Sequence, residues 1–165
     1  MHSFIFELAQ HQILHEKGFG EDPTIANGDM VSPIDYATLL SGEKRKHAID
    51  ILMKSVLPKG MFTLNPDGES MTYNGGIGIW RKSYLTLLHD RIKAVNEDNI
   101  LDWIGPAYQL QKAIVNPLDT NCLFIVDSFN DFLGPAERSS ELMRLAKRLK
   151  KGDVLYFGLV FDYHF

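Results

Sequence analysis

Only one cysteine, Cys122, stands in the 165 residues. That excludes an intramolecular disulfide and points to a reducing, cytoplasmic setting. Long apolar runs are missing as well: nothing approaches the ~18 consecutive apolar residues that read as a membrane-spanning helix. The opening Met1-His-Ser-Phe-Ile-Phe-Glu has no basic leader, and Glu7 interrupts its apolar stretch, so no secretory signal is expected. An excess of positive charge is lacking too. The 17 basic and 21 acidic side chains leave a net charge of −4, which argues against nucleic-acid or anionic-membrane binding through global charge. No internal repeat and no low-complexity segment is visible.

Catalytic signatures are equally scarce. No Gly-x-Ser-x-Gly occurs, so there is no serine nucleophile elbow. Asn74-Gly-Gly-Ile-Gly-Ile-Trp-Arg-Lys82 is rich in glycine, but the dinucleotide fingerprint needs a glycine where Arg81 stands, and no Gly-Lys-Ser/Thr phosphate loop follows. A turn or joint is the expected use of these glycines. His11-Gln-Ile-Leu-His15 spaces two histidines four apart, which on a helix is the spacing of two metal ligands. The glutamate that a zinc hydrolase places second is absent, so His11 and His15 would have no built-in general base. No metal or other cofactor is predicted from them.

What the chain does have is a normal globular composition. Hydrophobic residues make up 45% and charged residues 23%, enough for an ordinary core within one domain spanning 1–165. The C-terminal run 154–165 alternates, with Leu155, Phe157, Leu159, Phe161, Tyr163 and Phe165 on one side of an expected strand. The 122–126 run is apolar throughout, as an interior strand would be. Between them, Leu142, Leu145, Ala146 and Leu149 mark the buried face of a helix that Gly134-Pro135 can open and Lys151-Gly152 can close. The rest reads, in order, as a helix over 3–17, a loop over 18–32, and short helices over 33–40 and 43–57. A hairpin over 61–74 turns at Asn65-Pro-Asp-Gly68. A helix then ends near Val95, with Tyr84, Leu87, Leu88, Ile92 and Val95 inward. Another spans 100–115 and is kinked at Gly105-Pro106, with Trp103 and Tyr108 assigned to the core. The fold class that follows is α+β, five or six helices on a small sheet of 61–74, 122–127 and 154–163. A parallel α/β core is the alternative.

Three functional readings compete. Asp127 ends an apolar strand in the manner of a Walker B aspartate, with Asp131 close behind. If the last strand runs parallel and adjacent, Asp162 joins them at one sheet edge, and magnesium-dependent hydrolysis or phosphoryl transfer becomes conceivable. The second reading rests on positive charge. Arg138, Arg144, Lys147, Arg148 and Lys151 crowd one helix of an acidic protein. Lys44 and Arg45 sit at a helix start, where the dipole favours an anion or a facing carboxylate. Such residues meet an anion, a protein partner or nucleic acid. The third reading, favoured because no coherent catalytic set appears, is a non-catalytic binding or regulatory module acting through protein contacts, with homo-oligomers allowed.

Overall fold

The C-terminal strand is the spine of the sheet. The structure, a computed structural model, describes residues 2–13, 36–126 and 136–164. Within them lie strands β1 (His2–Ala9), β2 (Tyr36–Leu39), β3 (Phe62–Leu64), β4 (Ser70–Tyr73), β5 (Leu123–Val126) and β6 (Val154–His164). The helices are α1 (Gly42–Ile51), α2 (Ile77–Ala94), α3 (Pro106–Val115) and α4 (Ser139–Arg148), and a π-helical turn, Leu52–Val56, extends α1. The class is α+β, with a mixed sheet in the order β3-β4-β6-β1-β5, and β2 also pairs with β6.

The N-terminal segment corrects one expectation. Residues 2–9 are a strand, not the start of a helix over 3–17. Phe4, Phe6 and Leu8 alternate with Ser3, Ile5, Glu7 and Ala9, and a short run so mixed carries no decisive period. Its Phe and Ile suit a pleated surface, and the centre of the sheet supplies neighbours on both sides. β1 runs antiparallel to β6 and parallel to β5. Residues 36–39 are likewise a strand rather than the end of a helix. The 18–32 loop, the 32–35 helix start and Gly134-Pro135 lie outside the described residues.

β6 departs from its expected alternation at one place. From His164 to Val160 it pairs with His2 to Phe6, but Leu8 then faces Phe157, so Gly158 and Leu159 together oppose Glu7. This is a β-bulge, and it exchanges the two faces of the strand. Leu155 and Phe157 belong to the main core with Phe6, Leu8, Phe124 and Met71. Leu159, Phe161 and Tyr163 belong to a second cluster with Ile5, Leu123 and Ile125. The predicted continuous ridge is therefore divided between the two sides of the sheet. Phe165 lies outside the described residues.

α1 and α4 cover the main-core side. Ala48, Ile49 and Leu52 come from α1 and its π turn, and Leu142, Met143, Leu145 and Ala146 from α4. The spacing of the α4 set is the i, i+3, i+4 stripe expected of a half-buried helix.

The β3–β4 hairpin turns as expected at Asn65-Pro-Asp-Gly68. The exposed Asp67 accepts from the Glu69 N–H (2.9 Å), the Ser70 hydroxyl (2.8 Å) and the Ser70 N–H (3.1 Å). These bonds, the one from Glu69 first, hold its carboxyl below the ordinary aspartate value. A depressed native pKa contributes stability above the unfolded-state pKa and loses it as pH falls through the native one. Asp67→Ala should therefore lower the urea midpoint at about pH 7, with the difference shrinking as pH drops towards about 2. A difference independent of pH in paired urea titrations would contradict this assignment.

Candidate functional site

The carboxylate reading depends on strand direction, and the sheet decides that point. β5 and β6 are neither adjacent nor parallel, because β1 separates them. Asp162 faces Phe4, whereas Val126, the last residue of β5, is level with Leu8. At ~3.3 Å per residue the two levels are roughly 13 Å apart. The parallel, adjacent arrangement that would bring Asp162 to the end of β5 is not met. Asp162 instead contacts His2 at 3.2 Å. Asp127 and Asp131 lie outside the described residues. His11 is exposed in a bend after β1 and not on a helix, so the four-residue spacing loses its meaning there. His15 lies outside the described residues.

The predicted basic set is dispersed. Arg45 is a structural clamp: its guanidinium pairs with Glu69 at 2.5 Å and donates to the carbonyl of Gly158 at 3.0 Å. Glu69 is thus a carboxylate that faces this crowded helix start. Lys46 pairs with Glu43 at 2.7 Å, and that hydrogen bond raises its pKa. Lys44 is exposed. Arg138 is the N-cap residue of α4 and lines a hollow with Tyr108, Lys112 and Asn121. Nearby, burial raises the pKa of the Tyr163 phenol, and the charge of Arg138 partly offsets the effect. Arg148 and Lys151 are exposed near the end of α4. Arg144 and Lys147 alone share a concavity.

That concavity is a cleft of about 680 Å³ between α2, the end of α3 and α4. Ser140, Met143, Arg144 and Lys147 of α4 line one wall, at the i, i+3, i+4, i+7 spacing of a single helix face. Trp80, Tyr84, Leu85 and Leu88 line the other, together with Arg81 and Lys82. Trp80 and Tyr84 stack with ring centroids 4.9 Å apart. Gly75 and Gly76, at φ +95° and +96°, turn the chain from β4 into α2, a left-handed geometry that suits glycine. The glycine-rich stretch therefore serves as a turn that aims α2.

α2 and α3 form an antiparallel arm. The Tyr84 hydroxyl donates to the Ala113 carbonyl (3.0 Å), and Arg91 donates to Gln109 (3.3 Å). Burial against α3 raises the pKa of the Tyr84 phenol. The arm is rooted in the body by Asn116, whose amide donates to the Thr120 carbonyl (2.7 Å) and accepts from the Ser139 hydroxyl (2.7 Å). Yet neither α2 nor α3 contains a buried residue. Twelve large hydrophobic side chains are exposed among the described residues, and all but Leu39 lie between Ile79 and Val115. Leu87 and Ile92, assigned inward from the sequence, are among them.

Residues 96–105 form the tip. Leu101 is 94% exposed, Trp103 92% and Ile104 73%. Trp103 and Tyr108 were expected in the core; both are exposed, Trp103 almost completely. The tip is nonetheless a built turn. The Asn96 side chain accepts from the Asp98 and Asn99 N–H groups (3.0 and 3.2 Å), and Asn99 returns bonds to the Asn96 N–H and the Ala94 carbonyl. Gly105 packs so tightly against Asp102 that an added Cβ would lie 2.5 Å from the Asp102 Cβ. A signal for this surface was present in the sequence. Leu85 and Leu87 lie about 200° apart around a helix, so the apolar residues of α2 cannot all face one side. No helix among the described residues is long and apolar enough to cross a membrane. Compared with protein-family models, curated proteins and solved structures, the chain matches none of them.

Proposed function

We propose that this protein is a non-catalytic, cytoplasmic binding module whose working surface is the α2–α3 arm, used to contact another protein chain. One observation carries the reading: among the described residues, the exposed large hydrophobics are concentrated on the α2–α3 arm instead of being scattered. Isolated apolar side chains on a surface need no explanation, but eleven on one pair of helices and the turn between them are more than scatter supplies. Tryptophan, leucine and isoleucine on a hydrogen-bonded turn supply contact area at little ordering cost. The buried Cys122, with its thiol accepting from Ser3 at 3.8 Å, fits a reducing compartment.

The test is site-specific photo-crosslinking in the cells that make the protein. A benzophenone amino acid at position 103 should give protein adducts at several-fold the yield of the same group at position 54, an exposed site in the π-helical turn after α1. Equal yields at the two positions would remove the proposal.

A further inference from the structure

The tip of the arm and the cleft at its root are complementary. Residues 96–105 carry Glu97, Asp98 and Asp102 and no basic side chain, with Leu101 and Trp103 outermost. The cleft has Leu85, Leu88 and Met143 on its walls and no acid among its lining residues. Arg144 is already paired with Glu141, but Arg81, Lys82 and Lys147 have no ion-pair partner among the described residues. The three tip carboxylates have none there either.

One arm cannot satisfy itself. From Arg81 to Ala94 the helix covers about 20 Å at 1.5 Å per residue, so a chain's own tip and cleft stand at opposite ends of a straight arm. Two arms laid antiparallel bring both tips to both clefts at once. Such an arrangement is closed by a twofold axis and repeats the same contact twice. Apolar burial supplies affinity, and the opposed charges set the register and favour this pairing over a parallel one, which would place tip against tip.

We infer that the protein pairs with a second copy of itself through antiparallel α2–α3 arms, the acidic apolar tip of each seated in the basic apolar cleft of the other. This rests on the reading of the arm as a protein-contact surface and names its partner.

Sedimentation of the purified full chain tests it. The wild type should form a dimer, weakened at least several-fold by raising salt from about 0.05 to about 0.5 M. The tip variant Leu101→Ser/Trp103→Ser and the cleft variant Leu85→Asp/Lys147→Glu should each be monomeric, with circular dichroism unchanged, since these side chains are not in the core. Mixed together, the two variants should associate again, because one intact tip and one intact cleft remain between them. The inference is overturned by a wild type that stays monomeric up to about 100 µM. It is also overturned by a dimer that persists in both variants, or by a species that keeps growing with concentration. The two readings fail separately. Adducts from position 103 to a different polypeptide keep the contact surface and remove self-pairing, whereas the absence of any adduct removes both.

Discussion

Phe6→Ala should lower the free energy of unfolding by about 3–5 kcal/mol, while Trp103→Ala should change it by no more than about 0.5 kcal/mol. The contrast matters because tryptophan is the larger side chain. Phe6 is fully buried at the centre of the sheet, with its ring 6.2 Å from that of Phe124 and 6.1 Å from that of Phe4. α4 packs over the same face, so the surroundings are held from two layers and collapse poorly into a vacated space. Trp103 has almost nothing to lose on truncation within its own chain. The measurement is urea unfolding of both variants at a protein concentration low enough for monomers, since pairing would add a concentration-dependent term. Equal losses for the two variants would mean that the Trp103 ring is packed, and the arm would lose its standing as a presented surface.

The same contrast shows what could be read from the residues alone. β5, β6, the β3–β4 hairpin and α4 announce themselves through apolar runs, a turn motif with a mechanism, and one clean helical stripe. β1 does not. Its eight residues set Ser3, Ile5, Glu7 and Ala9 on one face against His2, Phe4, Phe6 and Leu8 on the other, and the neighbours on either side make it a strand. Strand order was equally out of reach. β1 sits between β5 and β6, and no local pattern in 122–126 or 154–164 encodes that insertion. With the order unread, the parallel and adjacent placement of β5 and β6 that the carboxylate reading needed stayed open; β1 lies between them instead.

The candidate site was half legible. Arg144 and Lys147 stood out as excess charge on one helix, whereas Arg81 and Lys82 did not stand out as site residues. What joins them is a wall of α2 that sequence reasoning turned inward. A helix carrying Leu85, Leu87, Leu88 and Ile92 was assigned a buried face by default, because burying apolar surface is the usual outcome. Here Leu85, Leu87 and Ile92 stay exposed, and the default fails at the place where a function is proposed.

Gly158→Ala should cost about 1–3 kcal/mol, the second large effect, and its origin is the bulge. A Cβ at position 158 would lie 2.5 Å from Glu7 Oε2, 2.6 Å from Ile13 Cδ1 and 2.9 Å from Glu7 Cβ. The Glu7 side chain cannot simply swing aside. It is only 3% exposed, and its Oε2 accepts from the Leu159 N–H at 2.6 Å. Moving it leaves a buried donor or a buried charge without that bond. The other edge of the bulge is equally occupied. β4 pairs with β6 only up to Tyr156 and β2 only from Phe161. In the gap, Arg45 donates to the carbonyls of Gly158 (3.0 Å) and Phe157 (3.4 Å), standing in for a strand neighbour. Its ion pair with the largely exposed Glu69 adds little, so Arg45→Met should cost about 1–3 kcal/mol through the orphaned carbonyls. The two substitutions act on one backbone segment and should not add. The methyl group introduced by Gly158→Ala displaces the bulge and already disturbs the carbonyls that Arg45 holds, so the double variant should fall short of the sum of the singles by at least about 0.5 kcal/mol. Strict additivity in the cycle would mean that the guanidinium and the glycine support β6 independently. The exchange of faces that sends Phe157 to one core and Phe161 to the other would then need a different cause.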